Sequence, residues 1–112
     1  MAIIYVISIK NALLTSDLSD SESAKRFFTN MISEIVVDNI VIDFSGVKQM
    51  NHLFALQYLK SKQSMSLKKA IKEICVPKNI YLMIKVAQKE MDRSSRKSLY
   101  KKEIMQNKLT AD

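Results

Sequence analysis

Residues 3–9, IIYVISI, are β-branched and aromatic almost without a break, which predicts a strand. The run does not alternate with polar residues, so burial on both faces is expected. The next stretch, KNALLTSDLSDSES, is polar and serine-rich, with Leu13 and Leu14 predicting a short second strand or a turn against the core. In SDSESAKRFFTNMISEI the apolar residues Ala24, Phe27, Phe28, Met31, Ile32 and Ile35 recur at three- and four-residue spacing. That spacing predicts an amphipathic helix. Asp20 or Ser21 serves as its N-cap, and Glu22 sits favourably in its first turn.

The segment VDN breaks this helix, and NIVIDF predicts a second strand. DFSGVKQMN is then a connection, in which Gly46 can take the positive φ that other residues resist. Asn51 is a suitable N-cap for HLFALQYLKSKQ, whose leucines alternate with Phe54, Ala55 and Tyr58 over a wide apolar arc. SMSLKKAIKE either continues that helix or breaks it near Ser64 and Ser66. EICVP predicts a third short strand, and Pro77 ends it or starts the next element. NIYLMIKVAQKEM predicts a final helix with Ile80, Met83, Ile84, Ala87 and Met91 on one side. Beyond Met91 the text turns polar and basic, as a helical extension or a tail.

Strand and helix thus alternate three times, which predicts an α/β fold with helices mainly on one face of a small sheet. The sheet's other face is then left open or covered by a partner. Residues 1–91 are expected to form the domain and 92–112 a basic C-terminal extension.

Composition sharpens this picture. A chain of 112 residues, 47% hydrophobic and 26% charged, fits one globular domain with one core. No run approaches the roughly 20 apolar residues of a membrane span, so a protein that does not enter a membrane, placed in the cytoplasm, is expected. The lone Cys75 rules out an intramolecular disulfide and a cysteine-based zinc site. The net charge of +7 is unevenly spread: residues 60–112 hold 14 Lys and Arg against five Asp and Glu, whereas residues 1–59 hold four against six. The asymmetry suits a solvated lysine-rich face, or an acidic or nucleic-acid partner.

Candidate chemistry is sparse. His52 is the only imidazole and no serine elbow accompanies it, so nucleophilic catalysis lacks its base–nucleophile pair. A single glycine cannot build a phosphate-cradling loop. One His, one Cys and scattered carboxylates have no metal-ligand spacing. No catalytic residue, metal or cofactor is therefore expected. Asp17 and Asp20 read as helix-capping residues. Asp43, at the end of an apolar strand, is placed to accept backbone N–H groups from the loop after it or from the start of the following helix, at the end of the sheet where α/β folds usually put their sites. Nucleic-acid contacts, if made, would fall on Arg93, Arg96, Lys97, Lys101 and Lys102, although interleaved aromatics are few there.

The stretch VIDFSGVKQMNHLFALQYL resembles the STAS-like domain family of unknown function, a distant relation of the STAS domains of anti-sigma-factor antagonists. The similarity lies in an apolar strand ending in Asp43-Phe44, then Ser45, Gly46 and Val47, and a short loop into a helix with Phe54 near its start. The serine-rich turn and helix SDSESAKRFFTNM and the later EICVPKNIYLMIKVA are similar too, so the resemblance spans roughly residues 3–90. It implies a small α/β module without catalysis of its own that binds a protein partner, such as a GHKL-type ATPase or kinase. In regulatory STAS domains a phosphorylatable serine lies near the start of that helix; the matching stretch here reads Asn51, His52, Leu53, Phe54, with His52 in the serine's place.

The expected function is a non-enzymatic regulatory or scaffolding module whose partner-binding loop comprises Asp43, Ser45, Gly46, Asn51, His52 and Phe54. The alternative is a basic nucleic-acid-binding protein using its C-terminal half. The apolar side of the last helix also suits a homodimer seam.

Overall fold

The apolar text of residues 39–43 forms the central strand of a parallel sheet, and the rest of the fold is arranged around it. The structure, a computed structural model, describes residues 3–93. Strand β1 (Ile4–Ser8) leads into a one-turn helix α1 (Ile9–Leu13) and a short strand β2 (Asp17–Leu18). Helix α2 (Ser21–Arg26) continues as a π-helical turn over Phe27–Ile32. Strand β3 (Asn39–Asp43), short strand β4 (Gln49–Met50), helix α3 (His52–Met65) and strand β5 (Ala70–Ile74) follow. A last helix, α4, occupies residues 78–93.

The main sheet has the order β1-β3-β5, all parallel, and β2 pairs with β4 in a separate two-stranded parallel piece. The protein is thus a small α/β fold. Register defines two faces. Tyr5, Ile40 and Ile71 form one row of the inner face and Ile7, Ile42 and Glu73 the next; Ile40 and Ile42 are buried. The outer face carries Ile4, Asn39 and Ala70, then Val6, Val41 and Lys72, then Ser8, Asp43 and Ile74. Among the described residues, helices cover only the inner face.

The core joins that inner face to α2, α3 and α4 through Phe27, Phe28, Phe44, Phe54, Tyr58 and Ile80, all essentially inaccessible. Phe28 and Phe44 meet the Tyr58 ring edge-on, at centroid distances of 5.2 and 5.7 Å. Phe27 and Phe28 are adjacent and both buried. Both belong to the wider π turn, in which the Ser33 N–H donates to the Phe28 carbonyl five residues back.

Several expectations are corrected. β1 is not buried on both faces: Ile4 and Val6 are each 58% exposed. Leu13 and Leu14 take the turn rather than the strand: Leu13 ends α1, whose N-cap Ser8 accepts from the Asn11 N–H, and packs on the core, whereas Leu14 closes the helix with φ of 57° and is exposed. The third main strand is Ala70–Ile74, not EICVP. Its alternating AIKEI puts Ile71 and Glu73 inward, and Cys75, at φ of 54°, turns the chain out of the sheet. Asp20 is the N-cap of α2, accepting from the Glu22 N–H at 3.0 Å. Among the described residues no helix is long and apolar enough to cross a membrane.

Candidate functional site

The corner at the carboxyl end of β3 is built from local hydrogen bonds. Asp43 Oδ1 accepts from the Ser45 N–H at 2.8 Å and from the Ser45 hydroxyl at 2.6 Å. The hydroxyl bond, then the backbone bond, holds the Asp43 carboxyl below its ordinary range, because both stabilise the charged form. Phe44 and Val47 anchor the loop in the core, and the Val47 N–H donates to the Phe44 carbonyl at 3.2 Å. The turn between them requires positive φ, and Gly46 supplies it at +80°. Lys10 folds over this glycine, so a Cβ there would lie 2.9 Å from Lys10 Cδ.

The chain then pairs with β2 and enters α3. The Asn51 N–H donates to the Leu18 carbonyl at 2.9 Å. Its Oδ1 caps α3 by accepting from the Phe54 N–H at 2.8 Å, and its Nδ2 donates to the Ser19 carbonyl at 2.7 Å. One asparagine side chain thus caps a helix and ties the corner to the turn before α2. His52, the first residue of α3, places Nε2 2.5 Å from Glu90 Oε2 on α4. No aligned hydrogen bond joins the two groups.

Of the residues assigned to the partner-binding loop, Ser45 and Gly46 are exposed, and Asp43, Asn51 and His52 half-buried. Phe54 does not belong with them. It is fully buried, and its periodic position on α3 turns the ring into the core. Among the expected nucleic-acid contacts, Arg93 is exposed near the end of α4; Arg96, Lys97, Lys101 and Lys102 lie outside the described residues.

Register joins the corner to the open face of the sheet. Asp43 shares its outer row with Ser8 and Ile74. The apolar part of that face is Ile4, Val6, Val41 and the 41% exposed Ile74, flanked by Lys72. Between Ile4, Asn39, Val41, Ala70 and Lys72 lies a depression of about 240 Å³. Parallel sheets are ordinarily covered on both faces; here, among the described residues, no helix lies over the outer face of these three strands, and Ile4 and Val6 stay 58% exposed.

Two other polar arrangements escaped the sequence reading. Tyr58 donates its hydroxyl to Glu73 Oε2 at 2.8 Å, and Lys62 Nζ donates to Glu73 Oε1 at 3.0 Å. Burial, then the charge of Glu73 and the hydrogen bond to it, pushes the Tyr58 phenol well above its ordinary value. The alternation in AIKEI, with Glu73 two residues after Ile71, was the available signal. The second is a groove between α2 and α3 in which Lys25, Lys60, Lys68 and Lys69 gather. Lys25, Lys60 and the adjacent Lys68 and Lys69 come from three separate segments, and no spacing in the sequence brings those segments together. Among the described residues, no group of three His, Cys, Asp or Glu side chains could hold a metal ion.

Compared with known family models, curated proteins and solved structures, the chain matches none.

Proposed function

We propose that this protein is a non-enzymatic regulatory or scaffolding module that binds another protein through the open face of its sheet and the adjoining Asp43–His52 corner. The observation that carries this reading is the uncovered parallel face, where Ile4 and Val6 stand 58% exposed in register with Val41, Lys72 and the row that contains Asp43. Apolar surface left open on a sheet is costly in water and is recovered by burial against a partner. The corner contributes a polar edge: Asp43 and Asn51 are held by their own hydrogen bonds, so little conformational freedom is lost on docking. The resemblance of residues 39–59 to STAS-like domains supports the same reading and suggests a GHKL-type ATPase or kinase as the partner.

The test is affinity capture with the full chain, using wild type, Val6→Asp on the open face, Gly46→Arg at the corner and Lys89→Glu on the outside of α4. A protein retained by wild type and Lys89→Glu but released by the first two variants supports the reading. Equal recovery by all four chains contradicts it.

A further inference from the structure

The groove between α2 and α3 has a volume of about 470 Å³, within the size range of small-molecule sites. Lys25 reaches it from α2, Lys60 from α3, and Lys68 and Lys69 from the turn that follows α3. Among the described residues no carboxylate lines it. Lysines lining one depression with no described carboxylate among them favour an anionic occupant. Among the described residues the salt bridges lie elsewhere, on Arg26–Asp20, His52–Glu90 and Lys62–Glu73. Lys69 is already engaged: its Nζ donates to the Ile35 and Val37 carbonyls and pins the α2–β3 connection. Lys25, Lys60 and Lys68 are exposed.

The hydroxyls of the groove divide sharply. Thr29 donates to the Lys25 carbonyl, Ser33 to the Thr29 carbonyl and Ser64 to the Lys60 carbonyl, which commits their hydrogens to the helices. Ser61 differs. Its oxygen accepts from Gln57 Nε2 at 3.0 Å, so its own hydrogen is left for an occupant of the groove. The remaining wall is apolar, made by Met65, the edge of Phe28 and the lysine stems. The groove thus offers three exposed lysines and one hydroxyl donor beside an apolar wall.

We propose that this groove binds a small organic molecule carrying two or more phosphate groups, with Lys25, Lys60 and Lys68 neutralising the phosphates, Ser61 donating one hydrogen bond and the organic part lying along Met65. An extended nucleic-acid strand fits less well, because such strands use exposed aromatic platforms and the one aromatic ring here, Phe28, is 1% exposed. The site is separate from the open sheet face, so it can be tested independently of the docking function.

Isothermal titration calorimetry on the full chain tests this with magnesium-free ATP, inorganic pyrophosphate and adenosine as probes, together with a single-stranded oligonucleotide. ATP is expected to bind with one-to-one stoichiometry, pyrophosphate more weakly, and adenosine far more weakly than either. Raising salt from about 0.05 to 0.2 M weakens ATP binding, because the cations are only partly shielded from solvent. The triple variant Lys25→Glu/Lys60→Glu/Lys68→Glu weakens it at least about tenfold, and Ser61→Ala about threefold to tenfold. Lys78→Glu/Lys89→Glu, exposed on α4 and outside the groove, leaves it unchanged, and a thermal melt shows that each variant is folded. The proposal is overturned by no binding of ATP or pyrophosphate, by equal binding to the folded triple variant, by equal weakening in the α4 variant, or by adenosine binding as tightly as ATP. An oligonucleotide that binds more tightly than ATP and is lost in the triple variant also overturns it, in favour of nucleic acid.

Discussion

Replacing Tyr58 with Phe isolates the polar link between α3 and β5. The ring is fully buried and packs edge-on against Phe28 and Phe44, so Phe keeps the shape of the core and opens no sizeable cavity. What is lost is one hydrogen bond to a charged acceptor, from the hydroxyl to Glu73 Oε2 at 2.8 Å. Such bonds contribute about 1.5–3 kcal/mol. Lys62 Nζ remains 2.8 Å from the same carboxylate oxygen, and the Glu73 side chain is 22% exposed. Lysine and water therefore recover part of the loss, and a cost of about 1.5–2 kcal/mol follows. For a domain of this size that is a fall of about 6–12 °C in melting temperature. The assay is urea unfolding followed by circular dichroism, run near neutral pH and again in alkali. The folded phenol titrates above the unfolded one, so the wild type loses stability as pH rises through about 10, where only the unfolded state releases the proton. The Phe variant lacks this contribution, and the gap between the two proteins narrows in alkali. A loss below about 0.5 kcal/mol near neutrality, or a gap that stays constant with pH, refutes the reasoning.

Three further outcomes follow from the corner. Gly46→Ala puts a Cβ at positive φ against Lys10, whose flexible end can move; it costs about 1–2 kcal/mol in urea unfolding, mostly from backbone strain. Asn51→Ala removes both the cap of α3 and the tie to Ser19, for about 1–2 kcal/mol, and Asn51→Asp restores the cap alone, giving an intermediate value. The Asp43 carboxyl, followed by NMR, titrates below its ordinary value, so its stabilising contribution is present above the unfolded carboxylate range and fades as pH falls below about 4; Ser45→Ala moves the titration back up.

Local chemistry was the part of the fold most legible in the sequence. Asp20 and Asn51 cap helices because their short side chains reach back to the N–H groups of the first turn, a property set within three residues. Gly46 was readable for the same reason, since its positive φ is a demand of a single turn. Asp43 was placed correctly as an acceptor of loop N–H groups. Third-strand assignment failed because AIKEI, with Lys72 on the outer face and Glu73 on the inner, imitates the tail of a lysine-rich helix. Its strand identity comes from pairing with β3, a partner about thirty residues away in the chain. Phe54 was misassigned because nearness in sequence to a surface loop says nothing of which way a helical side chain turns. The Tyr58–Glu73–Lys62 link and the lysine groove depend on how α2, α3 and β5 meet, and no local pattern encodes that meeting.

The claim that the open sheet face docks a protein is tested most directly by hydrogen–deuterium exchange on the complex with whatever partner wild type retains and Val6→Asp releases. The account predicts slowed exchange in β1 and at residues 45–47, with α4 unchanged. Protection confined to α4 or to the α2–α3 groove, with β1 exchanging as in the free protein, contradicts it.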